Sequence, residues 1–263
     1  MNIAKNGYMN NPSKCSYMVW GIDKSPDFDV ELGHYNLSRV TTCKHMGVHL
    51  IENKHVDENT ISTRIGAGRK PLLSFRGVGT HLVPAVPTVM STIYNSMSLS
   101  RMLYGIEIIP LNQTQINTLE QAHLKHVKLI QSVPMNVATA APLATIGKIS
   151  MRSTIALMKI MFLVRILFLP ACNLYRKITL FILSNILSCE DVGDRSMYCI
   201  SSPIADMWKY VKLYNLHDLF YDIMSGNVSN YQNTKSKIKN KIKLYDHYEM
   251  VCNMYPIWRF EYI

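Results

Sequence analysis

The chain is poor in the motifs that usually announce chemistry. Six cysteines occur, Cys15, Cys43, Cys172, Cys189, Cys199 and Cys252, but none forms a Cys-x-x-Cys pair and none sits at zinc-finger spacing to a pair of histidines. Reduced thiols in an intracellular protein, in cytoplasm or nucleus, are therefore expected rather than a disulfide framework or a zinc module. There is no Gly-x-Ser-x-Gly elbow, so a hydrolase triad has no support. Gly66-Ala67-Gly68-Arg69-Lys70 holds two glycines and two cations but lacks P-loop spacing, and a helix C-cap is its plainer reading. The first eighteen residues are polar and carry no apolar core of a secretory signal. The longest apolar run, Ile155 to Leu169, is interrupted by Lys159 and Arg165. Each would cost roughly 2.5–3.5 kcal/mol near a bilayer centre, so a buried helix is expected there and no transmembrane segment.

What remains is a chain with enough apolar content to fold and an excess of one charge. Hydrophobic residues make up 48% and charged residues 17%, which excludes a disordered composition. At 263 residues the chain can bury a sizeable core. The net charge of +10 favours polyanionic partners: nucleic acid or an anionic membrane surface.

The patterning predicts a mainly α fold with a small antiparallel β element at the N-terminus. Ser16 to Trp20 and Val40 to Ile51 read as strands, separated by a polar turn at Asp23 to Asp29. An amphipathic helix marked by Val56, Ile61 and Ile65 is expected to end around Gly66 and Gly68, before Pro71. A helix from about Pro84 to Leu103 follows. The next has a clear start, because Asn112 and Gln115 form a capping-box pattern. Ile116, Leu119, Val127 and Ile130 share its apolar face, and Pro134 stops it. Two long apolar helices are expected on either side of Pro170, then a polar linker from Cys189 to Ser202. In the tail, Lys235, Lys239 and Lys243 form one helical stripe and Lys237 and Lys241 another, with Ile238, Ile242 and Tyr245 between them. Three regions result: 1–55 with the strands, 56–190 helical, and 191–263 a basic helical extension.

Candidate sites are few. Asp23, Asp27, Asp29 and Glu31 cluster, at a spacing that suits a solvated turn. Glu120, His123 and His126 recur every three residues on one helix, a spacing that can hold a metal on one face. No further ligand is placed by the sequence, so a polar, partly exposed face is expected and no metal. His45 and His49 are four apart and would share a face of one strand. The basic positions carry the functional expectation: Lys125, Lys128, Lys148 and Arg152, and the lysines at 235, 237, 239, 241 and 243. A row of cations on a rigid helix is what sugar-phosphate contact requires. An anionic membrane and a mere solubility face are the rival readings of the lysine helix.

Several phrases, in order, resemble a family. Asn11-Pro12-Ser13-Lys14-Cys15-Ser16-Tyr17-Met18-Val19-Trp20, His45-Met46-Gly47-Val48-His49-Leu50, Leu103-Tyr104-Gly105-Ile106-Glu107, Thr139-Ala140-Ala141-Pro142-Leu143 with Ile146-Gly147, and Arg165 to Pro170 are similar to the end of the palm and the thumb-like region of non-LTR retrotransposon reverse transcriptases. The resemblance implies a primer-grip-like element at His45, Met46, Gly47 and Val48, and a thumb that holds a primer-template of RNA or DNA by weak backbone contacts. The Tyr-x-Asp-Asp motif of that family is absent, and no two aspartates are adjacent anywhere in the chain. Without those carboxylates no polymerase activity is expected. No cofactor is expected in this chain, Mg2+ being implied only for an intact parent polymerase, and no small-molecule substrate is expected either. Self-association through exposed apolar surface is an expected side effect of a thumb without its palm. The alternative is an all-helical protein-interaction module with no nucleic-acid role.

Overall fold

A computed structural model of the chain describes residues 11, 14–19, 29–32, 34–45, 47–52, 58–77, 87–192 and 202–258. Met46, positions 23–28 of the expected polar turn, and positions 193–201 of the expected linker lie outside the described residues. The chain divides into two compact units, 1–60 and 61–263.

Among the described residues, the first unit holds six short strands in three separate pairs. β1 (Ser16–Tyr17) runs parallel to β4 (Ser38–Arg39), whereas β2 (Glu31–Leu32) and β3 (Tyr35–Asn36) are antiparallel. The element is expected to be antiparallel, so the β1–β4 pair has the opposite sense. The run from Val40 to Ile51 is a hairpin: β5 (Thr42–His45) pairs antiparallel with β6 (Val48–Ile51), His45 opposite Val48. Gly47, at φ 77°, occupies the left-handed conformation that the tight reversal requires. Arg39 and Glu52 form an ion pair of 2.5 Å beside it.

The second unit is helical. α1 (Glu58–Gly77) is followed by α2 (Pro87–Ile93), which widens into a π-helical stretch (Tyr94–Leu99) and continues as α3 (Ser100–Met102). Then come α4 (Gln113–Ile130), α5 (Ala140–Thr145), α6 (Met151–Leu167), α7 (Leu174–Val192), α8 (Pro203–Leu213), α9 (His217–Ser225) and α10 (Tyr231–Trp258). The mainly α expectation therefore holds.

α6 is the central helix, and its composition explains why. Met151, Ile155, Ala156, Ile160, Met161, Leu163, Val164 and Leu167 are all buried, a broad apolar surface that leaves Arg152 and Arg165 exposed. It packs against α4, α7, α8 and α10. Trp208 of α8 meets Phe220 of α9 edge to face, with ring centroids 6.0 Å apart. Ile238 and Ile242 of α10 are fully buried in the same core. The boundary expected at 191 thus falls inside this unit, where helices from both sides share one core.

The expected end of the first helix is corrected: α1 continues through Gly66, Gly68 and Pro71 to Gly77. Gly68 is there for contact rather than for a cap. A Cβ at that position would stand 3.0 Å from the Ser98 carbonyl oxygen and 3.2 Å from Met102 Cβ. Its absence lets α1 lie directly on the π-helical stretch. The break expected from Pro71 is outweighed by this packing and by burial of Leu72. The capping box at Asn112 forms as expected, with Gln115 N–H donating to Asn112 Oδ1 at 2.8 Å and Asn112 N–H to Gln115 Oε1 at 3.0 Å. Gly147, at φ 61°, ends α5 as a left-handed cap, and the Lys148 N–H reaches back to Leu143 O at 2.9 Å.

Candidate nucleic-acid interface

The N-terminus of α6 gathers side chains from three helices. Its first amides lack partners inside the helix and must find them elsewhere. Ser150 caps it, accepting from Ser153 N–H. Glu120, from α4, accepts from Arg152 N–H at 3.1 Å. Asp246, from α10 and only 2% exposed, accepts from Ser150 N–H at 3.1 Å, from the Ser150 hydroxyl, and from the Ser153 hydroxyl at 2.5 Å. Two carboxylates at the positive end of the central helix are electrostatically favourable. Burial pushes the Glu120 pKa upward, while the amides of Arg152 and Met151 pull it back.

The Glu120, His123 and His126 set resolves into three separate structural roles. His123 is buried, not partly exposed as expected. Its Nε2–H donates to Ile149 O at 3.2 Å and its Nδ1 accepts from the Tyr94 hydroxyl at 2.5 Å. His126 is also buried, and its Nδ1 shares a hydrogen bond of 3.2 Å with Ser98 Oγ. Burial lowers both imidazole pKa values to about 4, so both rings are neutral. The spacing of three that suggested a metal instead matches Tyr94 and Ser98 on the π-helical stretch. Among the described residues no group of three ligating side chains could hold a metal ion.

The basic candidates part company. Lys128 is buried, and its ammonium donates to the carbonyls of Met135 at 2.8 Å and Val137 at 2.6 Å. It fastens the turn after α4 and is withdrawn as a phosphate contact, because its charge is enclosed. Lys125 and Arg152 are exposed. Lys148 donates to Asn95 Oδ1 at 2.6 Å, and burial with the nearby charge of Lys243 lowers its pKa.

On α10, Ile238, Ile242 and Asp246 form the inward stripe, four residues apart. The two lysine stripes fall on either side of it. On one side, Lys241 donates to Asn215 O, and Lys237 and Lys241 line a shallow hollow with Asp218 and Asp222. On the other, Lys239 and Lys243 are exposed, with Lys235 half-buried at the head of the row. Because Asp246 holds Ser150, the Lys243 end of α10 lies beside the turn that carries Lys148. One continuous basic strip results: Lys235, Lys239, Lys243, Lys148. Asp246 escapes a reading of charge runs, although its position eight residues after Ile238 was the available signal.

His45 and Val48 flank the reversal of the β5–β6 hairpin, so the residues expected to form a primer-grip-like element sit at a hairpin reversal and not on one continuous strand. His45 and His49 consequently lie on opposite strands, His49 opposite Lys44, and the shared face expected for them does not exist. Glu107, closing the Leu103–Glu107 phrase, lies close enough to Lys159 and Arg64 for its charge to raise the pKa of both, against their burial. Among the described residues, no helix is long and apolar enough to cross a membrane. No family model, no curated protein and no solved structure matches this chain.

Proposed function

We propose that this chain is a non-catalytic part of a non-LTR retrotransposon reverse transcriptase, the end of the palm with a thumb-like helical region, and that it holds a primer-template by its phosphate backbone. The observation that carries the binding claim is the convergence of Lys235, Lys239 and Lys243 with Lys148. These lysines come from two segments more than eighty residues apart, yet Asp246 and Ser150 bring them together. A row of ammonium groups on rigid helices contacts phosphates without reading bases, and its affinity falls steeply with salt. The family assignment rests on the ordered phrases from Asn11 to Pro170. Supporting it, Gly47, Gly105 and Gly147 within those phrases all adopt positive φ, which fits turns fixed by sequence.

The test is fluorescence anisotropy with a labelled RNA–DNA hybrid between about 50 and 200 mM salt. Binding should weaken linearly on a log–log plot, and replacing Lys148, Lys239 and Lys243 by alanine should flatten the slope. A slope unchanged by the triple replacement would remove the assignment. Primer extension by the chain alone should give no product.

A second reading, a protein-interaction module, is favoured by α7. Leu174, Tyr175 and Phe181 on its outer face are 66%, 72% and 66% exposed, with Ile178 between them. A concentration-dependent change of mass in solution, abolished by Phe181→Ser, would support that reading.

A further inference from the structure

A groove of about 490 Å³ lies between α1, α4 and the turn after α4. No small-molecule substrate is expected from the sequence. Its floor is apolar, formed by Ile65, Ala122 and Leu129. Arg69 and Lys125 stand on its sides, with Thr118 and Gln121 as neutral polar groups. No lining residue is acidic. His126 is 3% exposed and borders the same space. Its Nδ1 is bonded to Ser98 Oγ.

We infer that this groove binds a small nucleotide: a flat heterocycle carrying a phosphate. The volume lies in the range of small-ligand sites, which run from about 300 to 1,000 Å³. Two cations without a countering carboxylate suit a phosphate dianion, and the guanidinium of Arg69 can grip it with two parallel hydrogen bonds. The apolar floor accepts the face of a base. Thr118, Gln121 and the neutral imidazole of His126 offer hydrogen bonds to its edge or to sugar hydroxyls. A fatty acid fits less well, since five of the nine lining residues are polar and an alkyl chain would leave them without partners.

The groove is distinct from the basic strip of α10, and of its lining residues Lys125 alone is among the phosphate contacts expected from the sequence. Calorimetric titration of the full chain with adenosine monophosphate should give saturable one-site binding. Adenosine and inorganic phosphate should each bind at least about tenfold more weakly, because each loses half of the complementary surface. Arg69→Ala and Lys125→Ala, both at exposed positions, should each weaken adenosine monophosphate about tenfold, the scale of one lost charge-assisted hydrogen bond. Lys239→Ala with Lys243→Ala should leave this binding unchanged while weakening the RNA–DNA hybrid, so the two readings fail separately. Absence of saturable binding overturns the inference. So does binding that survives the Arg69→Ala, Lys125→Ala double replacement, or octanoate binding as tightly as the nucleotide.

Discussion

Lys159 and Lys243 are the same side chain in two regions that treat it in opposite ways. Lys159 sits in the middle of α6, 1% exposed, and donates to Ile109 O at 2.6 Å and to the carboxylate of Asp206. Its ammonium also lies 5.8 Å from the ring of Tyr210. Burial lowers its pKa and Asp206 raises it again. Lys243 projects into solvent from α10 with no carboxylate as its hydrogen-bonded partner among the described residues. An enclosed cation is committed to the fold, because withdrawing its partners leaves a charge in a medium that cannot solvate it. An exposed one is free to meet a phosphate. Lys128 belongs with Lys159 in this respect, although it lies three residues from exposed Lys125.

The largest effect should come from breaking the enclosed pair. Lys159→Ala or Asp206→Ala should each cost about 3–5 kcal/mol in urea denaturation, by leaving one charge buried alone. The double replacement Lys159→Met with Asp206→Leu should recover most of that loss. A single variant as stable as the parent would erase the contrast between the two regions.

Next in size is Asp246→Ala, which removes the acceptor for Ser150 and Ser153 and leaves buried donors unpaired. About 1–3 kcal/mol of stability should be lost, read by the shift of the denaturation midpoint. Asn at the same position keeps one acceptor oxygen and should lose less.

A smaller effect concerns pH. His123 and His126 have folded pKa values of about 4, below the ordinary 6.5. Between these values the unfolded chain takes up protons that the folded chain does not. Stability should therefore be fully present above about pH 6.5 and decline as pH falls toward about 4, flattening below that. The raised pKa of Glu120 acts in the opposite sense. His123→Gln and His126→Gln isolate the imidazole share: melting curves across this window should slope less steeply in each. An unchanged slope would mean that the imidazoles are not enclosed.

The smallest stability effect belongs to the exposed side of the comparison. Lys239→Ala with Lys243→Ala should leave stability within about 0.5 kcal/mol, while hybrid affinity falls. A large loss of stability would place these lysines with Lys159 instead.

Signals that act within one turn of chain were legible. The Asn112–Gln115 box and the amphipathic pattern of α4 need only neighbours in sequence. The long apolar helix before Pro170 was legible because so apolar a run is buried wherever it packs, whereas the exposed outer face of α7 was not. Gly66, Gly68 and Pro71 misled because their local preference for an end was outweighed by contact with Ser98 and Met102, which no short window contains. The two histidines of α4 and Lys128 misled for a related reason. Polar residues on a helix face read as solvated until a second element supplies Tyr94, Ser98 or the carbonyls of Met135 and Val137. The basic strip was half legible: its lysines were visible, but the sorting of Lys237 and Lys241 toward Asp218 and Asp222 depended on where α9 lay.

The carboxylate of Asp246 also sets a schedule for folding. It closes the start of α6 across 96 residues of chain. During synthesis at about 5–20 residues per second, the amide of Ser150 waits roughly 5–20 s for that partner to be made. Until then the central helix has its core-facing surface exposed on the side that α10 later covers. The nascent chain is most vulnerable to aggregation in this interval, and α10 acts as the latch that ends it.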